Sequence, residues 1–214
     1  MKKYRYDIKK YCFAEEIKRL FGVRDLSLIH KQWSEAKVYN LLDDVETDQN
    51  TDYHKTFYEG ASTDFYKIYE SFLKEVIFPL FDEPMLCQKI PTFRVHQPQN
   101  IAVAAFHCDK EYSHVSDEVN IFLPLTQAKG NSTIWVESEA GKADYKPMEA
   151  DYGEFWVWDG ANLKHGNKVN DSDVCRVSID FRVLPKINYK DTNQISTSNK
   201  MEMSVGNYWE DLTC

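Results

Sequence analysis

The chain has 214 residues and a formal net charge of -8, with 14% aromatic residues and only eight glycines. That length suits one domain with a substantial core, and the aromatic-rich, glycine-poor composition favours a compact globule over disorder. The acidic balance argues against a nucleic-acid partner, and no apolar run reaches membrane-spanning length. The opening Met1-Lys2-Lys3-Tyr4-Arg5-Tyr6-Asp7 leads into no apolar segment of the secretory kind. Cys12, Cys87, Cys108, Cys175 and Cys214 are scattered, without a CxxC pair. Reduced thiols in a cytoplasmic protein are therefore expected, not a disulfide framework.

Residues 1–88 read as mainly helical support. Phe13 to Phe21 offers a short amphipathic helix with Ile17, Leu20 and Phe21 on one side, ended by Gly22. Trp33, Val38, Leu41 and Leu42 suggest a second, which gives way to the polar, acidic run Asp43 to Asp52. The clearest helix follows Ser62-Thr63-Asp64, a cluster of good N-cap residues. There Phe65, Ile68, Tyr69, Phe72, Val76 and Ile77 recur at helical spacing until Pro79 closes the pattern, as a helix packed on a sheet requires. His30 and His54 have no carboxylate at ligand spacing and read as surface or hydrogen-bonded histidines. The cluster Asp52-Tyr53-His54-Lys55 has a second reading, as a polar loop overhanging an active site.

Residues 89–185 change to strand patterning. Thr92, Arg94 and His96 alternate with Phe93 and Val95, and Pro98-Gln99-Asn100 signals a turn. Ile101 to Phe106 is the next expected strand, delivering His107 at its end. Val119 to Leu123, Thr133 to Val136, Phe155 to Trp158 and Val174 to Val183 follow. Several short strands with no helical pattern between them predict a barrel or double-sheet jelly roll, not a βαβ sheet. Such a barrel has a mouth suited to a small molecule.

The chemistry concentrates in this half. In an extended strand His107 and Asp109 share one face, and His165 from a distant strand would complete two imidazoles and one carboxylate around a metal. His-x-Asp alone is a weak signal; its weight comes from the Arg and Ser that follow. In the last strand Arg176, Ser178, Asp180 and Arg182 fall on one face, and Val177, Ile179, Phe181 and Val183 on the other. A buried guanidinium needs a partner, so Arg176 with Ser178 reads as a clamp for an anionic guest. The opposing reading pairs Arg176 and Arg182 with Asp180 or other acids on an exposed face.

These residues carry a family resemblance. His107-Cys108-Asp109, Glu118-Val119-Asn120, Leu123-Pro124-Leu125-Thr126, Ser132 through Glu139, Gly160 with His165, and Arg176 through Arg182 resemble the Fe(II)/2-oxoglutarate-dependent oxygenase superfamily. Within it the chain is most similar to the small branch associated with streptomycin biosynthesis. The likeness covers about residues 90 to 185. It implies an α+β protein with a double-stranded β-helix (jelly-roll, cupin-like) barrel and N-terminal support helices. It also implies an oxidoreductase, a dioxygenase that hydroxylates a small-molecule substrate and releases succinate and CO2. His107, Asp109 and His165 would be the iron ligands, Arg176 would bind the distal carboxylate of 2-oxoglutarate with help from Ser178, and O2 would be the oxidant. The carboxylate at Asp109 favours hydroxylation over halogenation.

Other residues are left with two roles each. Asn120 would touch cosubstrate or make a structural hydrogen bond. Arg94 would meet substrate or pair with Asp180. Trp135 and Trp156 read as core, Cys108 as pointing away from the metal, and His114 as a lid residue. Residues 186–214 form a polar tail that would be a linker ending in an apolar latch, a flap over substrate, or packing for a second subunit in a homo-oligomer. Two rivals stay open: a cupin-type metal enzyme that does not use 2-oxoglutarate, and a non-enzymatic binding barrel.

Overall fold

The structure, a computed structural model, describes residues 1–37, 50–102, 105–112, 114–192, 194–196 and 201–212. Val38, Leu41 and Leu42 of the second expected helix, and most of the acidic run after them, lie outside the described residues, as does Cys214.

Among the described residues four α-helices precede most of the sheet: α1 (Phe13–Phe21), α2 (Ile29–Gln32), α3 (Asp52–Gly60) and α4 (Thr63–Phe72). Gly22 ends α1 in the left-handed conformation at φ 62°, returning its N–H to the last carbonyls. Ser62 caps α4 by accepting from Phe65 N–H at 3.0 Å. The apolar stripe continues beyond α4 through a π-type turn, Leu73–Ile77. Among the described residues no helix is long and apolar enough to cross a membrane.

The described residues form ten strands, in chain order β1 (Lys2–Arg5), β2 (Met85–Gln88), β3 (Thr92–His96), β4 (Val119–Pro124), β5 (Ile134–Val136), β6 (Lys146–Pro147), β7 (Glu154–Trp158), β8 (His165–Asn167), β9 (Arg176–Pro185) and β10 (Trp209–Glu210). Seven form one sheet in the order β1-β7-β4-β9-β2-β10, with β3 also paired to β9, and three form a second in the order β6-β5-β8. Every named pairing is antiparallel. The long β9 is the spine: β4 runs along one edge, while β3 and β2 share the other.

Alternation along β9 decides what each face of the large sheet does. Val177, Ile179, Phe181 and Val183 join Phe93, Ile121 and Phe155 in a core shared with Phe13, Ile17, Phe57, Phe65 and Phe72 of the helices. Phe57 stacks on Phe93 at 4.6 Å, and Phe72 meets Phe155 edge-on at 5.5 Å. On the opposite face Phe122 and Trp158 pack with Ile134, Val136 and Met148, which seats the small sheet. The pocket lies between the two sheets.

Several expectations need correction. The mainly helical residues 1–88 also contribute two strands, with β1 paired along β7 and β2 along β9. The short, charged β1 has no apolar alternation to announce it. The described residues between Ile101 and Phe106 are not strand; His107 alone finds a neighbour, in an isolated bridge to His165. Asp52-Tyr53-His54-Lys55 opens α3 and does not overhang the pocket. His54 is buried near Phe93, on the helix-covered side of β3, with Nδ1 2.7 Å from Thr51 Oγ1. In the tail Met203, Tyr208 and Trp209 pack on Leu86 and Leu184, and β10 pairs with β2.

Candidate active site

His107, Asp109 and His165 meet at one end of the inter-sheet pocket, their nearest nitrogen and oxygen atoms all within 4.8 Å of one another. The bridge that joins the histidine backbones is reciprocal: His107 N–H donates to His165 C=O at 2.8 Å and His165 N–H to His107 C=O at 2.9 Å. Each imidazole is then oriented by its own loop. His107 Nδ1 lies 2.8 Å from Ala105 C=O and His165 Nδ1 lies 2.9 Å from Leu163 C=O. A carbonyl only accepts, so both Nδ1 atoms carry the proton and both Nε2 lone pairs are free to ligate.

Asp109 arrives differently from the expectation of a shared strand face. It begins a 3-10 turn, Asp109–Tyr112, and its N–H donates to Gly160 C=O at 3.0 Å. Oδ1 sits 3.5 Å from Nε2 of both His107 and His165. Oδ2 is fully engaged elsewhere: Arg182 donates Nε at 3.0 Å and Nη2 at 2.7 Å, and Asn120 donates Nδ2 at 2.7 Å. Burial by itself would raise the Asp109 pKa. The Arg182 guanidinium outweighs it and holds the carboxyl well below the usual range.

Asn120 therefore makes the structural hydrogen bond of its two readings. Its Oδ1 also accepts Gly160 N–H at 3.1 Å, so the side chain ties the carboxylate to the loop before β8. Glycine is required there, because a Cβ on residue 160 would fall 2.7 Å from the Asn120 amide. Behind Arg182, Glu118 Oε2 lies 3.7 Å from Nε, and Tyr208 Oη accepts from Nη1 at 3.3 Å. His114 is buried and bonded to Glu118 at 2.7 Å, which corrects its reading as a lid.

Arg176 and Ser178 lie further along the same face of β9. Arg176 is 1% exposed, with Nε bonded to Ser132 C=O at 3.1 Å and Nη1 to Ser178 Oγ at 2.7 Å. Among the described residues no carboxylate lies within ion-pairing distance of it. Burial depresses its pKa to about 10, with Asp180 opposing. Asp180 instead pairs with Arg94 Nε at 3.3 Å. The exposed-face reading of Arg176 is thus ruled out by its burial.

Cys108, Trp135 and Trp156 stand apart from the ligand atoms. Cys108 Sγ bonds Asn162 C=O at 3.3 Å. Trp135 is only half-buried, with the Lys168 ammonium 3.2 Å over its ring, and Trp156 donates Nε1 to Glu149 C=O at 2.9 Å. Glu118 and the Arg182–Asp109 pair were missed as parts of the site. The alternation of β9 placed Arg182 on the right face, but its partner comes from a loop 73 positions away.

Two imidazole nitrogens and one carboxylate oxygen fit a divalent iron bound on one face, leaving positions for other ligands. A buried, carboxylate-free guanidinium in the same pocket fits a bound dicarboxylate. The α+β architecture is shared with a solved structure of CytC3 with Fe(II) and alpha-ketoglutarate, at a TM-score of 0.50 and 10% identity, over 86% of this chain and 72% of that one. AviO1 from Streptomyces viridochromogenes Tue57 aligns over 86% of this chain and 88% of its own, at 14% identity and a TM-score of 0.47. No family model matches the chain. The streptomycin biosynthesis protein StrG of Streptomyces griseus is 36% identical over 206 residues, 96% of either chain. The chain belongs to the StrG family.

Proposed function

We propose that this protein is an Fe(II)- and 2-oxoglutarate-dependent oxygenase that hydroxylates a small-molecule metabolite, releasing succinate and CO2. In this reading the two sheets are the halves of a jelly-roll barrel. The observation that carries it is Arg176, buried on the pocket face with no carboxylate among the described residues within ion-pairing distance. An uncompensated guanidinium costs several kcal/mol to bury, a cost that a dianionic guest offsets.

Each residue then has a defined task. His107, Asp109 and His165 would hold the iron through Nε2, Oδ1 and Nε2. The bound metal, with O2 and 2-oxoglutarate, would supply the oxidising chemistry. Arg176 binds the distal carboxylate of 2-oxoglutarate and Ser178 fixes the guanidinium plane by its bond to Nη1. The small sheet covers the pocket face of the large sheet. A streptomycin biosynthesis protein as relative supports an antibiotic-like or sugar-derived substrate. A cytoplasmic setting agrees with the free thiols of Cys12, Cys87, Cys108 and Cys175.

Succinate formation tests the reading. Aerobic incubation with Fe(II), 2-oxoglutarate and a metabolite panel should yield succinate that depends on iron and rises with the correct substrate. Asp109→Asn should abolish it. Protein that binds iron but neither binds nor consumes 2-oxoglutarate would overturn the proposal in favour of a metal enzyme of another kind.

A further inference from the structure

We infer that Arg182 is a positioning residue for the metal centre: by occupying Oδ2 of Asp109 it leaves Oδ1 as the one oxygen presented to the metal. The inference rests on the reading of His107, Asp109 and His165 as metal ligands. Three donors converge on Oδ2, two from Arg182 and one from Asn120, while among the described residues the histidine Nε2 atoms are what approaches Oδ1. A carboxylate held in this way cannot turn to offer both oxygens, so a coordination position that it would otherwise take stays open. Partners behind a ligand commonly govern metal sites in this fashion.

Arg182 is itself fixed from behind. Glu118 lies beside Nε at 3.7 Å, and Tyr208 receives Nη1 at 3.3 Å. Glu118 is held in turn by His114 at 2.7 Å and by Val115 N–H at 3.0 Å. Tyr208 belongs to the C-terminal segment, and with Trp209 it is almost wholly buried. The tail thereby becomes part of the site's support: it closes the last contact on the residue that orients Asp109.

Loss of charge and loss of positioning at residue 182 change metal affinity in opposite directions. Removing a cation near the site would, by electrostatics alone, strengthen binding of a divalent metal. Removing an orienting partner should weaken it by about 10- to 100-fold. Co(II) titration followed by visible absorption, on the full chain of the parent, Arg182→Gln and Arg182→Lys, separates the two. The expected result is weaker Co(II) binding by Arg182→Gln, with shifted d–d bands as Oδ2 is freed, and partial recovery in Arg182→Lys. Tyr208→Phe should shift in the same direction by less. Unchanged or tighter binding with superimposable spectra would overturn the inference. If Arg182→Gln does not fold, Asn120→Ala, which removes the other Oδ2 donor, carries the same test. A parent that takes up no Co(II), or takes it up equally well as His107→Ala, would instead defeat the metal-centre reading itself.

Discussion

His107 and His165 are joined by a reciprocal pair of backbone hydrogen bonds, at 2.8 and 2.9 Å, although 58 positions separate them by number. With each Nδ1 also bound to a carbonyl, the two imidazoles are set before any metal arrives. Preorganisation of this kind means that metal should stabilise the protein without refolding it.

The first prediction follows from that geometry. Saturating Mn(II), at about 100 times its Kd, should raise stability by about 2.7 kcal/mol in denaturant melts, with no change in far-UV circular dichroism. His107→Ala should lose the metal-dependent increment. A large gain in secondary structure on adding metal would show that the site is not preformed.

Gly160 gives the second. Ala at this position would drive a Cβ to within 2.7 Å of the Asn120 amide and displace the donor that holds Asp109. Gly160→Ala should therefore weaken metal binding about tenfold or more, an effect expected of disturbed outer partners. Metal titration checks it against the parent, and an unchanged Kd would show that Asn120 can shift freely.

The helical layer gives the third. Phe72 is fully buried and makes edge contacts with Phe13, Phe155 and Tyr6. Phe72→Ala should cost about 3–5 kcal/mol. A loss well under 1 kcal/mol in urea would contradict the packing described for α4.

A pH effect gives the fourth. Burial, aided by Arg94, pushes the His54 pKa from the ordinary 6.5 down to about 3, so the folded protein excludes a proton that the unfolded chain accepts. Stability should be complete above 6.5 and fall as pH drops from 6.5 toward 3. Between pH 7 and pH 5 the loss due to this residue should be about 2 kcal/mol. His54→Gln should remove that part of the slope, and equal slopes in the two proteins would place the histidine's protonation elsewhere.

What the sequence revealed was governed by periodicity. The two faces of β9 and the stripe from Phe65 to Ile77 could be read because burial on one side imposes a period of two or 3.6. The helix α3 escaped notice: its buried set is Tyr53, His54 and Phe57, and a buried histidine looks polar on paper. The strands β1, β6 and β10 are two to four residues long, too short for any period. Within the site, His107, Asp109 and His165 were legible by residue type, yet Asp109 reaches the cluster from a 3-10 turn and not a strand. The partners of Arg182 could not be deduced, since Asp109, Glu118 and Tyr208 come from three separate segments.

As the clamp for 2-oxoglutarate, Arg176 should depend on the shape of its side chain as well as on its charge. Lysine there keeps the charge but loses the forked, planar donor set. Calorimetric titration of 2-oxoglutarate into the Mn(II)-loaded parent and into Mn(II)-loaded Arg176→Lys measures that difference. Hydrogen bonds to charged groups contribute roughly 1.5–3 kcal/mol, so the variant should bind about ten- to a hundred-fold more weakly, with Mn(II) affinity itself little changed. Equal affinities for 2-oxoglutarate in the two proteins would contradict the account.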